Sequence, residues 1–106
     1  MIKKQSKAGF VRNEDGKKFD MDYDLNRHIP MVQEKLGSAM KGGSVDQGLN
    51  GGAPGSPAIY MAMAHLLFDS LESYQNAFGP HMETILADIP NYTDIQPAMQ
   101  ISEVKI

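Results

Sequence analysis

The longest uninterrupted apolar run in the chain is Ser56 to Ser70, SPAIYMAMAHLLFDS, and it predicts a central strand. Successive strand side chains alternate between faces, so Ile59, Met61, Met63, His65 and Leu67 share one side and Tyr60, Ala62, Ala64, Leu66 and Phe68 the other. Both sides are mostly apolar, and both need cover. Ahead of this run, MIKKQSKAGFVR alternates weakly and marks the place of a first strand within residues 1–12, with a turn at Asn13 to Gly16. In KFDMDYDLNRHIPMVQEKLGSAMK, Met21, Leu25, Ile29, Val32 and Leu36 recur at steps of three and four, the stripe of a helix. Asp20 or Asp22 caps its start and Gly37 ends it. Pro30 has no N–H for the Asn26 carbonyl, which predicts a bend. His28 falls about 60° from the centre of the stripe, at the border of core and solvent.

Val45, Gln47 and Leu49 alternate as a short edge strand does, and the loop GGAPGSP follows. The central run leads straight into a second helix, Asp69 to Ile89, with Asp69 as N-cap and Glu72 completing a capping box. Its apolar stripe is Leu71, Tyr74, Phe78, Met82, Ile85 and Ile89, interrupted by Gly79 and Pro80. A last strand near Ile95 to Val104 sets Pro97, Met99 and Ile101 on one face and Gln100 and Ser102 on the other.

Strand, helix, strand, strand, helix, strand is the ferredoxin-like order, an α+β fold. It implies one domain over residues 1–106, a four-stranded antiparallel sheet with both helices on one face. The small residues of the Tyr60 to Phe68 set let helices approach, so that set belongs beneath them. The opposite set, with Met61, Met63, His65 and Leu67, is then an apolar patch, and such patches mark an interface or a ligand site. A homodimer that stacks sheet on sheet covers it, and an incompletely filled interior leaves a pocket bordered by Met61, Met63, Leu67 and Met99.

Charge and composition narrow the function. A net charge of -3 gives no basic footprint for nucleic acid. The chain has no cysteine, which removes disulfides, thiolate chemistry and zinc ribbons. No run approaches the ~20 apolar residues of a membrane span, and MIKKQSKAG has no apolar signal core, so a cytoplasmic protein is expected. Eight methionines suit an adaptable apolar pocket. The glycine-rich loop lacks the lysine and hydroxyl ending of a phosphate loop, so no nucleotide is expected.

Candidate chemistry rests on the histidines. His28, beside a helix break, can act as a general base near neutral pH or simply cap the break. His65, among Met61, Met63 and Leu67, is either a structural hydrogen bonder or the acid/base group of a pocket. His81 follows the Gly79-Pro80 break, and Tyr23 can supply a phenol donor. The spacing of the histidines resembles no ligand motif, so neither metal nor cofactor is expected.

From about Phe19 to Val104 the chain resembles the EthD family of the dimeric α/β barrel superfamily. The resemblance rests on FDMDYDLNRHIPMV, HLLFDSLESYQNAFGPH and IPNYTDIQPAMQISEV. It implies a ferredoxin-like protomer whose sheet pairs with a second copy's to form a barrel. The family is named for ethyl tert-butyl ether degradation, in which a separate oxygenase system carries out the oxidation. It therefore implies either a cofactor-free, oxidoreductase-type protein acting on a small hydrophobic oxygenated compound, or an accessory module supporting that oxygenase. The family's His-x-Pro motif falls on His28, Ile29 and Pro30, its strand histidine on His65 and its second-helix histidine on His81. The start departs from the family pattern, since KKQSKAGFVRN stands where an apolar strand is usual.

Overall fold

The computed structural model describes residues 5–12 and 17–105. Four strands lie among them: β1 (Gln5–Arg12), β2 (Gly42–Gln47), β3 (Tyr60–Phe68) and β4 (Ala98–Glu103). All neighbours are antiparallel, in the order β2-β3-β1-β4. Between β1 and β2 runs a first helical arm, α1 (Met21–Tyr23), a π turn (Asp24–His28) and α2 (Ile29–Leu36). Between β3 and β4 runs a second, α3 (Leu71–Phe78), a 3-10 turn (Gly79–His81) and α4 (Met82–Asp88). The protein is α+β, an antiparallel sheet carrying two helical arms.

The first strand is clearer in space than in sequence. It is an inner strand, held by ladders to β3 on one edge and β4 on the other. The part of that prediction on residues 1–4, and the turn at residues 13–16, lie outside the described residues.

Both arms cover the face of β3 that carries Ala62, Leu66 and Phe68, as expected. Val32 and Leu36 from α2, Phe78 from α3 and Ile85 from α4 close with Leu66 and Phe68 into one buried cluster. Gly37 takes φ +57° and ends α2, where a side chain would be strained. Asp20 caps α1, its Oδ1 accepting from the Tyr23 N–H at 3.1 Å.

Several details differ from expectation. The cap of α3 is Ser70, whose Oγ accepts from the Ser73 N–H at 3.0 Å, and Asp69 instead lies 3.8 Å from the Lys41 ammonium. The edge strand ends at Gln47, leaving Leu49 exposed in the loop. The last strand begins at Ala98, because Ile95 is already committed to a buried contact with Ala62.

The largest departure is in the first arm. The arm breaks into a short first segment and a longer second one as Pro30 predicts, but through a π turn: the helix widens before the proline, and the Ile29 N–H reaches back to the Asp24 carbonyl. In a regular helix a four-residue step drifts by about 40°, and the wider turn absorbs that drift. Asp24, His28, Val32 and Leu36 therefore stack on the inner face, while Leu25 is turned out and is 46% exposed.

Candidate functional site

Between the sheet and the two arms lies a cavity of about 80 Å³. Its floor is a single row across the sheet, Val45, Ala64, Gly9 and Met99, paired strand to strand. The row leaves a hollow because two of its members are small. A β-carbon built on Gly9 meets nothing within 4 Å, so it would point into open space. Phe19, Val32, Phe78, Ile85 and Ile89 supply apolar walls.

The polar groups of the lining sit together on one side: Asp24, His28 and Tyr92. The π turn puts the first two there. His28 is 6% exposed, and its Nδ1 lies 2.9 Å from Asp88 Oδ2 at the end of α4. Asp88 Oδ1 accepts from the Tyr23 hydroxyl at 2.8 Å and from Asn91 Nδ2 at 2.9 Å. Tyr92 packs its ring 4.8 Å from the imidazole and 5.5 Å from Phe19.

Backbone contacts pin this corner. The Asp20 N–H donates to the Tyr92 carbonyl at 2.7 Å, and the Asp94 N–H to the Lys18 carbonyl at 3.3 Å. The Thr93 hydroxyl donates to the same Lys18 carbonyl at 2.7 Å. The start of the first arm and the end of the second are thus held at fixed separation, which is what the His28–Asp88 pair requires.

The electrostatics follow from burial and bonding. Burial pushes the Asp24 carboxyl above the usual carboxylate range; nearby His28 opposes this and Asp88 adds to it. Burial alone would raise Asp88 too, but hydrogen bonds from Asn91, His28 and Tyr23 hold it below that range. The Tyr23 phenol is raised, mainly by its bond to Asp88, and the Tyr92 phenol mainly by burial. Because Asp88 is a carboxylate, it accepts from the His28 Nδ1–H, and in the neutral imidazole Nε2 is then the acceptor.

The sequence-predicted residues divide between two places. His28 lines the cavity and Tyr23 supports it through Asp88. Met63 and Met99 border the cavity, whereas Met61 and Leu67 do not. His65 stands on β3 in register with Ser44 and Gln100, the next row along from the cavity floor and hence on the opposite face of the sheet, its Nε2 3.8 Å from Asp46 Oδ2. His81 is half-buried in the 3-10 turn, and it is not part of the lining. The pocket expected from the sequence lay on the outward face, and this cavity lies beneath the helices. Among the described residues no group of three or more His, Asp or Glu is placed to hold a metal ion.

Asp24 and Asp88 were not singled out from the sequence, and Tyr92 only as one of four tyrosines able to supply a phenol donor. The four-residue spacing of Asp24 and His28 just before a proline was a usable signal for the first. Nothing local marks Asp88, which is 60 positions from its partner.

The EthD domain model matches residues 14–96. The chain belongs to the EthD family. An EthD-like protein from Ralstonia eutropha JMP134 is 40% identical over 100% of this chain and 96% of its own, with a TM-score of 0.92. A dimeric protein of unknown function and ferredoxin-like fold from Bacteroides fragilis NCTC 9343 is 13% identical over 95% of this chain and 96% of its own, at 0.59. SnoaB, a cofactor-independent oxygenase from Streptomyces nogalater, is 4% identical over 100% of this chain and 94% of its own, at 0.56. The last two share the fold, and comparison with curated proteins gives no match. Among the described residues no helix is long and apolar enough to cross a membrane.

Proposed function

We propose that this EthD-family protein binds a small, mostly apolar oxygenated compound in the cavity beneath its helices, with His28 as the acid/base group. The reading is of a cofactor-free, oxidoreductase-type or accessory role. One observation carries it: among the described residues, the titratable groups on an otherwise apolar lining, Asp24 and Tyr92, are grouped around a histidine whose Nδ1 is fixed by Asp88. The fold is shared with a cofactor-independent oxygenase, which is compatible with this chemistry.

An NMR screen of small alcohols, aldehydes and ketones against the labelled protein tests the site. A ligand of the cavity shifts the amides of Gly9, Ala64 and His28, and Gly9→Leu, which fills the hollow, removes the effect. Ligands that survive Gly9→Leu overturn the cavity as the site. For any compound that is turned over, His28→Gln is expected to slow the reaction by about 10²- to 10⁴-fold. An unchanged rate would leave a non-catalytic binding module.

The dimer is part of the same proposal. Met61, Met63, His65 and Leu67 are only partly covered within the protomer, on the face of the sheet that no helix occupies. A second copy stacked there would cover them, as in the dimeric barrel the family implies, and would place His65 in the interface. Sedimentation at micromolar concentration is expected to give twice the protomer mass, and Leu67→Glu, on the outward face and outside the cavity lining, is expected to lower it to one. A monomer for the unsubstituted chain ends the barrel reading.

A further inference from the structure

A second, larger space adjoins the cavity. An open groove of about 660 Å³ lies between the end of α4 and the segment that leads into β4, with Leu86, Ile89, Pro90, Ile95, Pro97 and Met99 as its apolar lining. Three of these, Ile89, Pro97 and Met99, also line the cavity. The two spaces therefore meet at one set of side chains.

They differ in character. The polar groups of the cavity are gathered at His28, whereas the groove leaves large apolar side chains to water: Leu86 is 37% exposed and Met99 43%. Exposed apolar surface beside a site is surface that a ligand can cover. The polar members of the groove do not compete with that use. The Thr93 hydroxyl already donates to the Lys18 carbonyl and accepts from the Ile95 N–H at 3.1 Å. Asp94 and Gln96 are exposed to solvent. Among the described residues of the lining there is no lysine, arginine or histidine, so the groove holds no cation to meet an anionic group.

Size connects the two spaces. About 80 Å³ is roughly half the ~150 Å³ that admits a benzene ring, so the cavity takes only a few non-hydrogen atoms. A larger compound with its oxygen in the cavity has to continue elsewhere, and the groove is the apolar space that shares a wall with it.

We propose that the ligand is elongate: a short, neutral oxygenated head lies in the cavity on the His28 side, and an unbranched apolar tail passes Ile89, Pro97 and Met99 to lie in the groove. The proposal rests on the cavity being the ligand site. Met99 belongs to the row that floors the cavity, so the groove is on the helix side of the sheet. A second copy stacked on the outward face leaves it open.

1-Propanol and 1-heptanol test it, since they share a hydroxyl head and differ by four methylenes. A fully buried methylene raises affinity about fourfold, and one in an open groove less. In NMR titrations 1-heptanol is therefore expected to bind at least tenfold more tightly than 1-propanol, with amide shifts that extend to Leu86 and Ile95. Leu86→Glu, which lines the groove and not the cavity, is expected to remove most of that advantage and to leave 1-propanol within twofold. Equal affinities overturn the proposal, a comparison that needs no variant to fold, and so does an advantage that survives Leu86→Glu. A Leu86→Glu variant that sediments at half the mass of the unsubstituted protein would make the groove a contact between copies, which also overturns it. In each of these cases 1-propanol binding that Gly9→Leu abolishes keeps the cavity as the site. Binding of 1-heptanol that Gly9→Leu leaves intact, or no binding of either alcohol, defeats the cavity reading itself and the proposal with it.

Discussion

Replacing Phe68 with alanine is expected to lower the unfolding free energy by about 3–5 kcal/mol. Phe68 ends β3 on its helix-facing side and is 0% exposed. It lies in the cluster formed with Val32, Leu36, Leu66, Phe78 and Ile85, so both arms meet the sheet around this one ring. Tyr74 meets it edge-on at 5.2 Å and in turn stacks on Phe78 at 5.3 Å. Truncation removes the ring's burial and leaves a void among aromatic side chains that cannot collapse independently. Against a usual total of about 5–15 kcal/mol, such a loss leaves little reserve. Urea unfolding at one fixed protein concentration measures it, since assembly would otherwise shift the midpoint. A loss below about 1 kcal/mol would mean that the arms are anchored elsewhere.

The side of β3 that carries the ring was legible in the sequence. The alternation from Tyr60 to Phe68, with alanines between larger residues, assigned the helix-facing side of β3 correctly because a strand's period of two leaves no ambiguity once one face is chosen. Helical phase was less legible. Five apolar residues at good spacing placed Leu25 inside, but a proline five residues on widened the turn before it and brought Asp24 and His28 inward in its place. Hydropathy cannot register that exchange, because it buries two ionisable groups and exposes a leucine. The same blindness hid the cavity beneath the helices. Met61, His65 and Leu67 drew attention as an uncovered apolar face, whereas the cavity arises from what is missing at Gly9 and Ala64, two small residues on different strands that only the register brings side by side. His28 was identified without its partner, because Asp88 closes the pair across two helical arms.

Asp88→Ala is expected to destabilise the protein by about 2–3 kcal/mol at neutral pH, allowing for the partial exposure of the carboxylate. The side chain accepts from Tyr23, His28 and Asn91, and so ties the end of α4 to the π turn. Its pH dependence has a definite sign. The folded protein holds Asp88 below the ordinary carboxylate value of ~3.9, so over that interval the unfolded chain binds a proton that the folded one does not. The contribution is present above about pH 4 and is lost as pH falls through the folded value. Asp88→Asn, which cannot titrate, should therefore lie well below the unsubstituted protein at pH 7 and converge on it in acid. Imidazole nitrogen NMR supplies a second readout. With a carboxylate as partner, neutral His28 should be the Nδ1–H form with Nε2 free toward the cavity. An asparagine can present either its oxygen or its amide to the ring, so the variant should show both tautomers. If Asp88→Asn keeps one tautomer and the same acid limb, the carboxylate neither orients His28 nor joins the two arms, and the acid/base reading of the cavity loses its physical basis.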